Sequence, residues 1–362
     1  MIREKIEMTD IWRTQRGSKK MKIYNRYFYR VLVLTGIMVL LAVATLSCED
    51  LPYEENSGPG SSPSGTKKRG IILVQNPGQG NDIRPNLEAA WKMASAGDTI
   101  MLPGGRFSYS GSTFLPAYKK SNIYIKGRGS GPDGTILYRE SQTQEWMIEV
   151  WGSAGNIKGA GIEISDIWFQ AMDTKLYKGD DGISYPLFRG VAFRASDFYL
   201  HHCKFQWFSS RAVGVSHPQS YGMGVIANNE FLECLSYREG EFSRGYGINV
   251  GVWGPVNSWT SVSPGSKNFV FIEDTYFARL RPAVASGPGA LFVFLYNKCE
   301  RDSSESGYVD MHGAQPEHVN PDYQYSARFA EIYENVFTAT PPDDMLHVGY
   351  EYGPIGFKGG AS

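Results

Sequence analysis

The chain has 362 residues, 42% hydrophobic and 14% aromatic, with 41 glycines, ample for a large core and long enough for more than one domain. Lys and Arg number 36 against 37 Asp and Glu, a formal charge of −1, which offers no positive field to a nucleic-acid partner. Apart from Cys48, the cysteines Cys203, Cys234 and Cys299 are odd in number and form no CxxC pair. That argues against a disulfide framework or a zinc site and for buried thiols.

Residues 1–47 read as a targeting segment. Lys19, Lys20, Lys22, Arg26 and Arg30 precede Val31 to Leu46, an uncharged apolar run too short for a comfortable membrane span. Met1 to Lys20 extend an otherwise ordinary signal, so Met21 is a second candidate start. Leu46-Ser47-Cys48, followed by Glu49 and Asp50, resembles a bacterial lipoprotein signal, with the leucine two residues before the cysteine instead of the usual three. The resemblance implies lipidation at Cys48 and a lipid-anchored protein at the bacterial outer membrane or cell surface. A signal anchor with an incidental cysteine is the alternative. Residues 48–68 are rich in Gly, Ser and Pro and form a flexible tether, leaving 69–362 as the folded domain.

The domain opens on the strand-like run IILV. A helix follows, with Leu87, Ala90, Trp91 and Ala94 at i, i+3, i+4, i+7 on one face. Asn86 is the expected N-cap, Glu88 suits the positive end, and Gly97 fits the C′ position. Thr99 to Leu102 is a strand closed by Pro103-Gly104-Gly105. The run LEAAWKMASAGDTIMLPGGRF resembles the entry of right-handed parallel β-helices of the pectin-lyase-like superfamily. The resemblance implies an all-β solenoid with an N-terminal capping helix. SNIYIKGRG at 121–129 reads as a further strand of the same kind.

The rest of the chain repeats a loose unit. Aligning GIEISDIWF, FYLHHCKF, GVIANNEF, FVFIEDTYF, FVFLYNKC and FAEIYENVF places an apolar anchor at Phe169, Phe205, Phe231, Phe277, Cys299 and Phe337. The shortest spacing, 299 − 277 = 22, is close to one bare coil, and longer spacings leave room for loops. Asn229, Asn297 and Asn335 each stand two residues before an anchor. They are expected to support the left-handed bend between strands and to stack their amides coil upon coil. Residues at equivalent coil positions then form rows on the surface.

Two chemistries suit such a scaffold. Elimination at a uronate needs a base and a positive group beside the carboxylate, whereas hydrolysis needs two carboxyl groups. The segment from 269 to 335 supplies the first candidates: His312 as base, Asp310 as its orienting partner, and Arg281 one coil earlier for charge stabilisation. As turn residues in a solvated loop, the same three would do nothing chemical. This segment also resembles a subgroup of uncharacterised bacterial β-helix proteins, through Glu273, Asp274, Phe277, Arg281, Asn297, Asp310, His312, Gly313, Glu331 and Asn335. Pro282 and Leu295 depart from that pattern where it carries histidine and arginine.

Arg279, Arg328 and Trp253 are candidate substrate-binding residues, and Glu273, Asp274 and Glu331 are candidate ligands for Ca²⁺. A plain Arg328–Glu331 ion pair competes with that reading. Asp180-Asp181, flanked by glycines, reads as a surface turn. His201 and His202 should alternate faces on a strand, and His217 lies in a loop. Trp151, Trp168, Trp207, Trp253 and Trp259 offer rings for sugar stacking.

The expected function is a monomeric cell-envelope protein acting on a polysaccharide: a lyase cleaving an acidic glycan by β-elimination. A non-catalytic glycan-binding surface lipoprotein and a carboxylate-dependent glycoside hydrolase are the alternatives. No capping element is visible near 359–362, so either a neighbour covers that edge or the set of coils is incomplete.

Overall fold

The computed structural model describes 27 strands and one helix between residues 70 and 358. Residues 118–119, 121, 140–144, 153–160, 174–186, 217–222, 235, 239–240, 252–268, 288, 302–307, 313–326, 328 and 340–354 lie outside the described residues. So do the leader, Cys48 and the tether.

Strand β1 (Ile71–Leu73) is followed by α1 (Arg84–Met93), and then eight coils of three strands each succeed one another. The first two coils are β2 (Thr99–Met101), β3 (Gly105–Ser108), β4 (Thr113–Pro116) and β5 (Tyr124–Lys126), β6 (Thr135–Arg139), β7 (Trp146–Trp151). Next come β8 (Ile162–Ser165), β9 (Ile167–Ala171), β10 (Arg189–Arg194) and β11 (Ser196–His201), β12 (Lys204–Gln206), β13 (Arg211–Val215). The fifth coil is β14 (Met223–Ala227), β15 (Glu230–Leu232) and β18 (Tyr246–Val250), interrupted by the antiparallel hairpin β16 (Ser236–Arg238) and β17 (Glu241–Arg244). Then follow β19 (Val270–Glu273), β20 (Tyr276–Ala278), β21 (Val284–Ser286) and β22 (Leu291–Leu295), β23 (Lys298–Arg301), β24 (Val309–His312). The last coil is β25 (Phe329–Tyr333), β26 (Val336–Ala339) and β27 (Ile355–Lys358).

The first strands of the coils, with β1, form the nine-stranded sheet A; the second strands form the eight-stranded sheet B and the third strands the eight-stranded sheet C. All neighbours in these three sheets are parallel. The chain is therefore a right-handed parallel β-helix, in the hand that parallel crossovers adopt.

The anchor spacing was legible in the sequence. Phe169, Phe205, Phe231, Phe277, Cys299 and Phe337 are successive register partners in sheet B. Leu137 and Phe107 extend the same row toward the N-terminus. Four of its rings stack face to face, with centroids 4.9, 4.9 and 5.0 Å apart. That spacing is the interstrand repeat itself, so each coil brings its own ring into contact with the next.

The bend from sheet A to sheet B works differently from expectation. In each of the last six coils one residue enters the left-handed region there: Asp166, His202, Asn228, Asp274, Tyr296 and Glu334, with φ between 47° and 59°. Most are not asparagine, and the left-handed conformation costs each about 1 kcal/mol or more. The asparagines stand one position later and serve through their amides. Asn297 Oδ1 accepts from the Thr275 N–H at 3.1 Å, and its Nδ2 donates to the Ile272 carbonyl at 2.9 Å. Asn229 bonds Cys203 and Leu200 in the same way, and Asn335 bonds Asn297 and Phe294. Each amide thus satisfies backbone groups that the bend removes from the ladder.

The helix buries the expected face, Leu87, Ala90, Trp91 and Ala94, into the common core. Its ends differ from the expectation. Pro85 fits the first turn, so the helix starts at Arg84, whose N–H donates to Asp82 Oδ1 at 3.1 Å. Asn86 lies inside the helix and donates to the Gln75 carbonyl at 2.8 Å. Ala94 is already extended, so Gly97 (φ 88°) serves the following turn and not the helix C′ position.

Cys203, Cys234 and Cys299 are free and buried. Burial raises all three thiols, Cys234 to about 12, so they carry almost no thiolate at neutral pH. They should resist thiol reagents in the native protein and react together once it unfolds. Replacing Asn297 by Ala strands a buried N–H and a buried carbonyl and should cost about 2–4 kcal/mol, read as a lower denaturation midpoint with unchanged far-UV circular dichroism.

Candidate functional site

Alternation along the strands of sheet C sends Val191, Phe193, Val213, Val215 and Ile248 into the core. The intervening positions form rows on the outer face. One row runs Glu149, Ala192, Gly214, Asn249, Ala285 and Asp310 through consecutive register pairs. Ala192 and Gly214 make its middle shallow. Trp146 lies along this floor, only 6% exposed, and a Cβ on Gly214 would overlap its ring.

The adjoining row runs Trp146, Arg189, Arg211 and Tyr246. Adjacent strands lie about 4.8 Å apart, so Arg189 and Arg211 start side by side. Arg189 Nε is buried without a hydrogen-bond partner among the described residues, and its guanidinium carbon lies 5.8 Å from the centre of the Trp146 ring. Burial lowers its pKa, and Arg194 adds to this, while Glu149 opposes it.

At the N-terminal end of the trough Glu149 holds the neighbouring groups. Trp151 Nε1 donates to Glu149 Oε2 at 3.2 Å, and Arg194 Nε lies 3.4 Å from the same oxygen. The Arg194 guanidinium sits 4.5 Å over the Trp151 ring, and Phe114, 51% exposed, lies 5.5 Å from that ring. Beneath them the fully buried Arg139 fixes the backbone that carries Trp146. It donates to the carbonyls of Glu145 (2.6 Å), Trp146 (3.4 Å) and Gly111. Burial lowers its pKa to about 10, which leaves it cationic at neutral pH. Exposed rings beside desolvated guanidinium groups suit an extended ligand with apolar faces and anionic substituents.

Of the residues singled out from sequence, Asp310 lies in this outward row on β24 and is 2% exposed. His312 pairs in register with Lys358, and its side chain lies outside the described residues. Arg281 sits in the turn from sheet B to sheet C, its N–H on the Gly245 carbonyl. Three strand spacings, about 14 Å, separate Arg211 from Asp310.

Arg279 is committed elsewhere: it forms an ion pair with Glu233 at 2.7 Å on the sheet B side. Although burial opposes it, hydrogen bonds from Trp207 and Gln206 and the Arg279 charge hold the Glu233 carboxyl below its usual range. The proposed Ca²⁺ ligands are not brought together. Register aligns Glu273 with Leu295 but Glu331 with Val293, one row over and two strands away. Burial and the neighbouring Asp274 carboxylate push Glu273 upward, and among the described residues no three His, Cys, Asp or Glu side chains converge. Trp253, Arg328, Asp180, Asp181 and His217 lie outside the described residues.

Arg189, Arg211, Arg194, Glu149 and Trp146 escaped the sequence reading. A signal was present: Arg189-Gly190-Val191 and Arg211-Ala212-Val213 stand 211 − 189 = 22 residues apart, the same bare-coil interval as the anchors.

No protein-family model matches the sequence, and no curated protein matches it. Solved structures share the winding. An alginate lyase from Paenibacillus sp. str. FPU-7 is 14% identical, with a TM-score of 0.40, 80% of this chain covered and 98% of that one. The catalytic unit of a GH87 α-1,3-glucanase from Streptomyces thermodiastaticus strain HF3-3 is 11% identical, with a TM-score of 0.40 and coverages of 79% and 55%. Pectin methylesterase PemA from Erwinia chrysanthemi is 9% identical, with a TM-score of 0.38 and coverages of 77% and 92%. At these values the likeness reaches neither side chains nor chemistry.

Gly214→Ala tests the trough directly. The added methyl must displace Trp146, which should cost about 1–3 kcal/mol and alter the near-UV circular dichroism of tryptophan while the far-UV spectrum is unchanged.

Proposed function

We propose that the protein acts on an acidic polysaccharide laid along the outer face of sheet C, cleaving it by β-elimination. The observation that carries this reading is the pair of in-register arginines, Arg189 and Arg211, with a buried unpartnered Nε–H on the first, beside a shallow trough floored by Trp146. Guanidinium groups held in a partly desolvated setting favour carboxylates through paired charge-assisted hydrogen bonds. A uronate carboxylate so neutralised has a more acidic proton at the adjoining carbon, which is what elimination requires.

In this reading the trough binds one part of the chain, while Arg281, Asp310 and His312 act on another. His312 removes the proton, Asp310 orients it, and Arg281 stabilises the developing charge. The burial of Asp310 favours a second reading, glycan binding without cleavage. Delivery by the leader and lipidation at Cys48 would place a monomeric protein at the outer membrane surface.

Incubation with a panel of uronate polymers should produce the ultraviolet absorbance of an unsaturated sugar end. New reducing ends without that absorbance would point to hydrolysis, and binding without either product to the adhesive reading. Arg189→Ala and Arg211→Ala should each lower kcat/KM by about tenfold or more. Unchanged kinetics and binding in both would remove sheet C as the site.

A further inference from the structure

A second constellation lies on sheet A, away from the sheet C trough. His201 ends β11 and points outward, and His202 follows it at the bend. On a regular strand the two would face opposite ways. His202, however, has φ 52°, and the left-handed turn brings its ring back beside its neighbour. The two Nδ1 atoms lie 2.7 Å apart. On the other side of His201, Nε2 lies 3.1 Å from Glu163 Oε1 on the preceding coil. Tyr199 stacks on the His201 ring at 4.1 Å and fixes its plane.

These contacts imply a proton arrangement. If Nε2 of His201 carries hydrogen and donates to Glu163, Nδ1 of His201 presents a lone pair. The hydrogen between the two Nδ1 atoms then belongs to His202. A metal-ligating histidine characteristically donates its second N–H to a carboxylate, which sets the tautomer and aims the ring.

We propose that His201 and His202 bind a divalent transition-metal ion through their Nδ1 atoms, with Glu163 as the positioning residue. The ion replaces the shared hydrogen, which passes through water to Nε2 of His202 so that the ring stays neutral, and takes both Nδ1 lone pairs. Metal–nitrogen bonds of about 2.0–2.1 Å at a tetrahedral angle need the nitrogens about 3.3 Å apart, which requires only a small outward swing of His202, an exposed side chain. Imidazole donors select zinc, copper or nickel over calcium or magnesium. No third His, Cys, Asp or Glu converges here among the described residues, so water or ligand oxygens complete the shell. Glu273 lies in the register row of His201, two strands along sheet A, and its carboxylate favours a cation.

The test uses the full chain, with Zn²⁺ measured against a chromophoric chelator and Cu²⁺ followed by electron paramagnetic resonance. One Zn²⁺ should bind per chain, and Cu²⁺ should show coupling to two imidazole nitrogens. His201→Ala and His202→Ala should each weaken Zn²⁺ binding about tenfold or more and leave coupling to one nitrogen. Glu163→Gln should weaken binding about tenfold with both couplings retained, and Glu163→Asp should restore part of the loss. The chain has six histidines, so the double variant His201→Ala/His202→Ala separates this pair from the rest. Zinc binding unchanged in that variant overturns the proposal. Where a variant does not fold, the Cu²⁺ spectrum of the unaltered protein decides, and absence of paired nitrogen coupling overturns it equally.

Discussion

From the third coil to the eighth, the chain turns from sheet A to sheet B on a single residue held in the left-handed region, and the rest of the solenoid depends on that bend. Asp166, His202, Asn228, Asp274, Tyr296 and Glu334 bear the strain without being glycine. What stabilises them lies next door. The amides of Asn229, Asn297 and Asn335 reach into the adjacent coil and tie its backbone to their own. With the bend at the same place in six successive coils, register cannot drift, and the phenylalanine stack of sheet B forms as a consequence. Local strain is thus offset by contacts that exist only between coils.

Fixed register also decides what the surfaces carry. A parallel stack puts equivalent positions about 4.8 Å apart, so any side chain repeated from coil to coil becomes a row. Sheet B neutralises its row internally: Arg106, Gln170, Gln206, Glu233 and Arg279 form a continuous polar chain at hydrogen-bonding distances of 2.7 to 3.4 Å. Sheet C sets Arg189 and Arg211 in register beside a shallow floor, and sheet A gathers Glu163, Tyr199, His201 and His202. Three faces of one solenoid therefore differ in chemistry, although the same backbone builds them.

The bend further explains why two adjacent histidines meet. Strand periodicity separates neighbours to opposite faces, and one left-handed residue cancels that separation. A row of such residues down six coils gives an opportunity at each of them for neighbouring side chains to converge, and His201 with His202 uses it.

The amino-acid sequence by itself determined the solenoid, because its anchors are local patterns. Aromatic residues recurring at coil spacing, with asparagine two positions ahead, specify a strand and a bend whatever else the chain does. The buried face of the helix was equally legible, since helical periodicity needs no tertiary partner. Only the tertiary structure decided the helix ends, which depend on Asp82 and Pro85, and the fate of the charged residues. Arg279 looked available but is drawn to Glu233, 46 residues away, and Glu273 and Glu331 fall in different rows. Arg189 and Arg211 were unremarkable until register set them side by side. The reason is physical: a charge acts through distance in space, and in a stacked coil that distance is set by the lengths of loops whose sequence says nothing about where the next strand will land.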